Sequence, residues 1–414
     1  MGDTDQREDG RNKVISIKPN ATNQMGMRLA NERLILALIR RYSGIAKADI
    51  AKLTGLTPQA ANIIINRLEL DGLLCRQPPV RGKVGQPAIP YKLDPGGAFS
   101  IGLSISRQTC EMVLMNFVAD IRERVRSDTI DRYTPDQIVE FAIDGYNSLI
   151  STLTEDERNR VCGYGMSLPL FDDDWYDQEK SLRSGSSSSE YDIGMRIAYQ
   201  VPLHVQLCNN AAAACGAELE LGSLHGLSDF LYLHLDVSIS GSLVLDNKVF
   251  YGSSGRAGAV GLFPVQFLSN DQSEVVSLRD LSLWHLGQRA CRSGPRPKGP
   301  CGSEEWWSSL DEEAVEDWIV EITPKLACVA LAAAAICDID VIVIDGLCPN
   351  WVRRKIVDGV AGVVEEYAAR QEVSKVKIIS GSLGASASVL GAALLPMAHF
   401  GRVEGESSSV QTSL

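Results

Sequence analysis

Residues 47–67, KADIAKLTGLTPQAANIIINR, contain the pattern that most constrains how this chain can fold. It predicts two short helices, with Gly55 supplying the turn between them. Thr57 followed by Pro58 predicts the start of the second helix, because a hydroxyl N-cap and a first-turn proline are common there. The expected core residues are Ile50, Ala51 and Leu53 in the first helix and Ala60, Ala61, Ile64 and Leu68 in the second. The pattern is therefore typical of a helix-turn-helix.

The second of these helices also carries polar side chains away from its apolar stripe. Glutamine, asparagine and arginine bond base edges and phosphates, so we expect this helix to enter the major groove of DNA. The residues expected to contact DNA there are Thr57, Gln59, Asn62, Asn66 and Arg67. Any small helical bundle can show the same two-helix pattern, and the flanking segments help to decide between the two interpretations.

Both flanking segments favour a DNA-binding domain that spans residues 26–95. Upstream, ANERLILALIRRY places Leu34, Ala37 and Leu38 at helical spacing, which predicts a third helix across the pair. Downstream, LLCRQPPVRGKVGQPAIPYKL has short apolar runs around prolines and glycines, which predicts a two-stranded wing. The wing-tip residues expected to contact DNA are Arg81, Lys83 and Gln86. The sequence thus predicts a winged helix-turn-helix.

Charge is distributed unevenly along the chain. Residues 1–95 contain 15 Lys and Arg against 9 Asp and Glu, a net charge of +6, whereas the whole chain carries −12. The remaining 319 residues therefore carry −18. Because phosphate repels an acidic body, contact with DNA is expected only from the N-terminal part.

Length and composition indicate a globular protein of two or three domains, with 414 residues, 45% hydrophobic and 22% charged. Residues 1–25 and 401–414 are expected to form a flexible arm and a flexible tail, because they are polar or low in complexity. The N-terminal residues lack the apolar segment of a signal peptide, and no run approaches the length of a membrane span. We therefore expect a cytoplasmic protein with no membrane partner.

The ten cysteines include no CxC or CxxC pair, so we expect neither a disulfide framework nor a metal site. Cys291 and Cys301 bracket the loop RSGPRPKGP, but no further ligand lies near them at the spacing of a zinc site. The thiols expected to be reduced and in the core are Cys75, Cys110, Cys162, Cys208, Cys215, Cys328 and Cys337.

Beyond residue 95, strand patterns alternate with helix patterns, which predicts an α/β body over residues 96–400. AFSIGLSIS, EMVLMNF and VADIRERVRS read as a strand meander, and VCGYGMSLP as a further strand after an amphipathic helix. A second set begins with FLYLHLDVS and GSLVL and continues through the helix EDWIVEITPKLACVALAAAAICDI. Two such sets imply two lobes with a cleft between them.

Several segments, in this order and spacing, resemble the ROK family of sugar kinases and sugar-responsive transcriptional regulators. The resemblance covers nearly the whole chain. It rests on the winged helix followed by GQP, on LCNNAAAACGAELELG at 207–222, on VFYGSSGRAGAVG at 249–261 and on ISGSLGASASVLGAALL at 379–395. It implies a two-lobed, actin-like ATPase fold behind the winged helix-turn-helix. An added DNA-binding domain is the architecture of the family's regulators, since its kinases lack one.

The chain departs from the family pattern where the kinases bind nucleotide. The family's DxGGT-like turn corresponds to SISRQ at 104–108, and its glycine-rich GTGIG turn corresponds to DVSISG at 236–241. Glycine turns bind phosphate because several backbone N–H groups converge on the anion, and side chains obstruct that approach. The resemblance therefore implies weak ATP binding, and we expect no cofactor.

The catalytic residues of the family kinases are also replaced. The Asp of the ENDAN-like motif, which serves as general base, corresponds to Asn210, and an amide is no base at neutral pH. The Glu and His of the GEIGH motif correspond to Ala259 and Leu262, and FPVQFLSNDQSEVV stands where the zinc loop should be. We therefore expect no kinase activity and no zinc.

Asn209 and Asn210 are the residues expected to bind an effector, since Asn209 keeps the family's sugar contact. Asparagine directly before AAAACGAELEL also suits a helix cap, which satisfies free N–H groups at a helix start. The pair therefore either caps a helix only, or caps it and also faces the cleft between the lobes.

Together these features favour a DNA-binding regulator, a repressor of carbohydrate-related genes. Its expected partners are a double-stranded DNA operator, a sugar or sugar phosphate, and further copies of the chain, as a homodimer or a higher homo-oligomer. Two winged helices would then meet half-sites about 34 to 36 Å apart, or a multiple of that. The alternatives are a sugar kinase with an appended DNA-binding domain and a DNA-binding regulator that senses no effector.

Overall fold

The computed structural model describes residues 24–42, 44–79, 88–129, 133–169, 190–224, 226–253, 255–268, 274–371, 376–398 and 411–412. The wing-tip residues Arg81, Lys83 and Gln86 lie outside these ranges, as do residues 1–23 of the predicted arm and most of the predicted tail.

The N-terminal domain is a winged helix-turn-helix, as predicted. Its strands form a small antiparallel sheet in the order β1-β3-β2, with β3 between the other two. In chain order its elements are α1 (Gln24–Tyr42), β1 (Ile45–Ala46), α2 (Lys47–Thr54), α3 (Pro58–Leu70), β2 (Leu74–Arg76) and β3 (Pro90–Leu93).

Local chemistry fixes the turn between α2 and α3. Gly55 ends α2 with φ 68°, a left-handed conformation that glycine adopts without steric cost. The Thr57 hydroxyl accepts a 3.2 Å hydrogen bond from the Ala60 N–H, and Pro58 opens α3. The predicted start of the second helix is confirmed.

Ile50, Ala51, Ala61 and Leu68 are buried as predicted, but other predicted core positions are not. Ile35 and Ile65 are fully buried, whereas Leu34 is 43% exposed, and Ile64 is only half-buried. Leu53, a predicted core residue of α2, is 51% exposed. Adjacent apolar residues fit a helical period almost equally well, so the packing of the three helices decides which one is buried.

The first lobe of the body is a six-stranded sheet in the order β16-β8-β7-β4-β5-β6. The strands β4, β5 and β6 form an antiparallel meander, while β4, β7 and β8 run parallel. Its elements are β4 (Phe99–Ile105), β5 (Thr109–Asn116), β6 (Ile121–Asp128), α4 (Pro135–Ser151), α5 (Glu155–Arg158), β7 (Val161–Leu168), α6 (Glu190–Ala198), β8 (Val205–Asn209), α7 (Asn210–Glu220) and β16 (Gln411–Thr412).

The second lobe is built on a five-stranded sheet in the order β11-β10-β9-β14-β15, which packs on two long helices. Its helices are α8 (Leu283–Ser293), α9 (Glu304–Ser308), α10 (Glu312–Cys337) and α11 (Asn350–Gln371). Its strands are β9 (Phe230–Leu235), β10 (Ile239–Leu245), β11 (Lys248–Phe250), β14 (Val341–Gly346) and β15 (Lys377–Ser380), and a hairpin of β12 (Pro264–Leu268) and β13 (Glu274–Ser277) lies beside it. Short 3₁₀ turns occupy Val260–Leu262, Leu278–Leu281 and Gly384–Ser386.

The last helix, α12 (Ala387–Ala398), packs on the first-lobe sheet and on α7. Its small residues allow backbone to meet backbone. A methyl group added at Gly165 would lie 1.8 Å from the carbonyl oxygen of Ala392, and one added at Gly391 would lie 1.8 Å from that of Ala213. Gly165 of β7 and Gly391 of α12 thus allow close packing of helix and strand backbones.

Two sequence expectations need correction. Helix α10, with 26 residues, is long and apolar enough to match a membrane span by length and composition, although no such run was expected. One face of it, with Trp318, Ile322 and Leu326, lies in the core of the second lobe, whereas Val320 and Ile336 are exposed. All ten cysteines are free, but Cys328 is exposed on this helix and is no core thiol.

Candidate nucleic-acid interface and interlobe cleft

One face of α3 is open to solvent. At 100° per residue, Gln59, Asn62, Ile63, Asn66 and Leu70 fall within about a third of the helix circumference. All five are exposed, Ile63 by 62% and Leu70 by 86%. Three of them are predicted DNA contacts. The two apolar ones were missed, although an apolar side chain on such a face can contact the methyl group of thymine.

Two other predicted contacts make bonds within the chain. The Thr57 hydroxyl oxygen accepts the capping bond, which leaves its O–H group as a donor. Arg67 lies 3.5 Å from Asp71 and 3.9 Å from Glu32 of α1, and its side chain is 49% exposed. Its charge is therefore partly balanced by acidic neighbours, which weakens the case for a phosphate contact.

Lys47, which was not singled out from the sequence, lies beside the exposed face of α3. Its ammonium donates to the Oδ1 atoms of Asn62, at 2.7 Å, and of Asn66, at 2.5 Å. It also lies 5.2 Å from the ring centroid of Tyr91 in β3, within range of a cation–π contact. Since 15 and 19 residues separate Lys47 from the two asparagines, only the folded helix pair brings the three together.

The DNA-binding domain is joined to the first lobe by a continuous core. Apolar residues of the three helices share one cluster with Met115, Phe117 and Val389 of the body. Arg40, at the end of α1, donates from Nη2 to the carbonyl oxygen of Phe117 at 3.1 Å and lies 3.9 Å from Glu220, the last residue of α7. Burial lowers the pKa of the Arg40 guanidinium, partly offset by the Glu220 charge.

The turn between β4 and β5 of the first lobe reaches across to the second lobe. The Gln108 side chain, 4% exposed, accepts a 2.9 Å hydrogen bond from the backbone N–H of Cys301. The Arg107 guanidinium stacks 4.1 Å from the ring centroid of Trp284 on α8. Two side chains of this turn therefore contact the second lobe.

At two places in the body, the chain's own carboxylates accept hydrogen bonds from backbone N–H groups. The Asp236 carboxylate accepts from the N–H of Val237 at 2.5 Å. Farther along, the buried Glu218 accepts from the N–H of Leu383 at 2.5 Å, and burial raises the pKa of this carboxyl. An N–H group already bound to a carboxylate is less available to an anion.

Asn209 and Asn210 are buried at the start of α7, next to the ends of β4 and β8. The Asn209 side chain is the N-cap of this helix and accepts from the Ala212 N–H at 2.8 Å. The Asn210 side chain donates from Nδ2 to the carbonyl oxygen of Ile105 at 2.9 Å. Its Oδ1 has no hydrogen-bond partner among the described residues, so one buried acceptor remains for a ligand or water.

A histidine missed from the sequence lies close to this pair. His234 Nε2 is 3.4 Å from a carboxylate oxygen of Asp236 and 3.3 Å from the hydroxyl of Ser388 on α12. The same hydroxyl lies 3.3 Å from the Asn210 carbonyl oxygen. A buried polar network therefore connects β9, α12 and the first turn of α7.

Residues 258–262, which the sequence resemblance aligns with the GEIGH motif, include a 3₁₀ turn, Val260–Leu262, preceded by Ala259. Leu262 is 48% exposed and apolar, so it offers no ligand atom for a metal. In the part of the chain that the structure describes, no group of three or more His, Cys, Asp and Glu side chains is arranged to hold a metal ion.

Comparisons with known proteins agree with this geometry. A family model described as winged helix-turn-helix DNA-binding matches residues 28–74. The chain is 23% identical over 376 residues to an uncharacterized protein, y4fQ, of Sinorhizobium fredii, covering 86% of this chain and 89% of that one. It is 20% identical over 253 residues to the xylose repressor of Bacillus subtilis, covering 59% of this chain and 63% of the repressor.

The fold also matches a crystal structure described as a ROK family transcriptional regulator, a homolog of the E. coli MLC protein. The TM-score is 0.65 with 17% identity, over 90% of this chain and 96% of that one. At this identity the match shows the fold, which is that predicted from the sequence.

Proposed function

We propose that this chain, which has the domain order and fold of the ROK family transcriptional regulators, is a sequence-specific DNA-binding repressor of carbohydrate-related genes. The observation that carries the proposal is the exposed face of α3, which presents amide side chains on a helix positioned for the major groove. The similarity to a xylose repressor supports the carbohydrate link.

Contacts with DNA would come from two parts of the N-terminal domain. Gln59, Asn62 and Asn66 would bond base edges, and Thr57 before the helix and Arg67 beside this face would contact the DNA next to them. The wing, whose strands β2 and β3 pair in the structure, would add phosphate or minor-groove contacts through Arg81, Lys83 and Gln86 at its tip. The acidic body favours an orientation with these elements toward the duplex.

The body would sense an effector without phosphorylating it. Phosphoryl transfer needs bound nucleotide and a base, and here the cleft side chains Gln108 and Arg107 contact the second lobe while Asn210 holds the position of the base. Asn209 and the unpaired Oδ1 of Asn210 support a small polyhydroxyl ligand, a sugar or sugar phosphate, at the start of α7. The second candidate is a regulator that senses no effector. It is supported by the capping bond of Asn209, since capping alone can explain an asparagine at this position.

Helix α7 offers a route from the cleft to the DNA-binding domain. It begins at Asn210 and ends at Glu220, which faces Arg40 of α1. A ligand that shifts α7 would change how α1, and with it α3, sits on the first lobe. With a homodimer or higher homo-oligomer, such a shift would alter the spacing of two recognition helices. A DNA-bound role implies a cytoplasmic protein.

The test uses the purified full chain. Sequence-specific binding is expected to a duplex selected from a randomised library, and Gln59→Ala should weaken it by about 1 to 3 kcal/mol with a much smaller loss on random DNA. Equal losses on both kinds of DNA would contradict direct reading by α3.

The same preparation should show no phosphoryl transfer from Mg-ATP to any hexose, and Asn210→Asp alone should not create it, because a base adds rate only where nucleotide binds. Sugar-dependent ATP turnover by the wild type would overturn the proposal that the body is no kinase. A rise in melting temperature with one sugar or sugar phosphate would support effector sensing, and no rise with any would favour the second candidate.

A further inference from the structure

We infer that Lys47 determines which bases the recognition helix α3 selects, by fixing the orientation of the Asn62 and Asn66 amides. The inference rests on the proposed function and deepens it, since it concerns the specificity of the same surface. The carrying observation is that one ammonium donates to both amide oxygens.

The chemistry of the ammonium makes the amide orientation unambiguous. A lysine ammonium has three donors and no acceptor, so the amide atom that faces it must be an oxygen. Asn62 and Asn66 are one helical turn apart, so a single ammonium can hold both. The two NH₂ groups are then directed away from Lys47.

The position of Lys47 is itself constrained. It is the first residue of α2 and directly follows β1, whose Ala46 pairs with Pro90 of β3. Its ammonium lies 5.2 Å from the Tyr91 ring, and Tyr91 is 2% exposed. The Lys47 ammonium is therefore held between β3 and α3. Binding the two amides costs it less side-chain entropy than it would cost a lysine that extends into solvent.

This orientation favours some bases over others. Asparagine reads adenine with both ends of its amide, because the oxygen accepts from N6 while the NH₂ donates to N7. With the oxygens directed toward Lys47, the amides present donors only. Donors match guanine, whose major-groove edge offers the N7 and O6 acceptors, and they oppose the amino groups of adenine and cytosine. We therefore expect α3 to select guanine over adenine at the positions that Asn62 and Asn66 contact.

The experiment compares Lys47→Met with Lys52→Met in the full chain. Lys52 is an exposed lysine in the same helix, so both variants lose one positive charge. Each protein selects duplexes from a library with a fully randomised core, and guanine-to-adenine replacements in the selected site are then measured by competition. The wild type and Lys52→Met should prefer guanine by about 10- to 100-fold at these positions.

In Lys47→Met the preference should fall to within a few-fold, because the amides are free to turn and accept from adenine. Lys47→Arg keeps the donors and should keep most of the preference. Removing Lys47 from a chain that already carries Asn62→Ala and Asn66→Ala should leave the base preference unchanged, which separates an effect on the amides from a general change in folding.

Retention of the guanine preference in Lys47→Met would overturn the inference, as would selection of adenine by the wild type. Failure of the wild type to select any sequence would instead overturn the proposed function, so the two failures are distinguishable.

Discussion

Replacing Arg40 should loosen the DNA-binding domain from the first lobe, because this side chain joins α1 to both the β5–β6 turn and the end of α7. Arg40→Met keeps most of the apolar stem and removes the guanidinium. The hydrogen bond from Nη2 to the Phe117 carbonyl oxygen, 3.1 Å long, is lost with it. A hydrogen bond from a charged group contributes about 1.5 to 3 kcal/mol.

The ion pair with Glu220 adds less. The closest approach is 3.9 Å and the Glu220 side chain is 50% exposed, so this pair is worth less than about 1 kcal/mol. Burial of the guanidinium is itself unfavourable, as the lowered pKa of Arg40 indicates, and Arg40→Met removes this cost. The gain partly offsets the loss of the hydrogen bond and of the ion pair. The expected net loss is about 1 to 3 kcal/mol in the free energy that holds α1 on the body.

Hydrogen exchange followed by mass spectrometry measures this loss region by region. In Arg40→Met, amide protection should fall in the three helices of the DNA-binding domain, while the core of the second lobe keeps its protection. Arg41→Met is the matched control, since Arg41 is exposed on the same helix. Equal protection in both variants, or an equal loss throughout the body, would refute the view that Arg40 specifically holds the two parts together.

Three further predictions concern other parts of the molecule. Asn209→Ala should lower the free energy of unfolding by about 1 kcal/mol through the lost cap, and it should abolish any ligand-induced rise in melting temperature. Asn209→Ser should keep the cap and lose only the rise with ligand. An unchanged rise in both variants would exclude an effector contact. Neutralising Arg81 and Lys83 together should reduce the log–log salt slope of DNA binding by about 2, and an unchanged slope would mean that neither touches phosphate. At pH 8, iodoacetamide should label the exposed Cys328 first, because burial raises the pKa of thiols such as Cys208 to about 12 and keeps them protonated. Early labelling of Cys208, detected by mass spectrometry, would contradict the packing around α7.

Local signals in the sequence were sufficient for the architecture and for the ends of several elements. The Gly55 turn and the Thr57 cap depend on residues within four positions of each other, and both were predicted. The two-lobed body followed from strand and helix periods together with the family resemblance. Asn209 illustrates the limit of such signals, because the cap is confirmed while the ligand contact stays a prediction.

The contacts that were missed join segments far apart in the chain. Lys47 meets the α3 asparagines only when two helices pack, and Arg40 lies 77 residues from Phe117. Nothing in the spacing of residues 24–42 indicates that their last turn binds the body. The choice of buried residue within an apolar run such as residues 63–65 depends on the same packing, which explains the one-position errors in the predicted core.

In the proposed arrangement, α3 reads DNA as one of a symmetric pair of recognition helices. Hydroxyl-radical footprinting of the full chain on a duplex selected from the randomised library distinguishes this arrangement from non-specific binding. Two protected half-sites are expected about 34 to 36 Å apart, or a multiple of that, and Asn62→Ala should raise the protein concentration needed to protect both by about 5- to 150-fold. Uniform protection along the duplex, or an unchanged footprint of Asn62→Ala at the wild-type concentration, would contradict this arrangement.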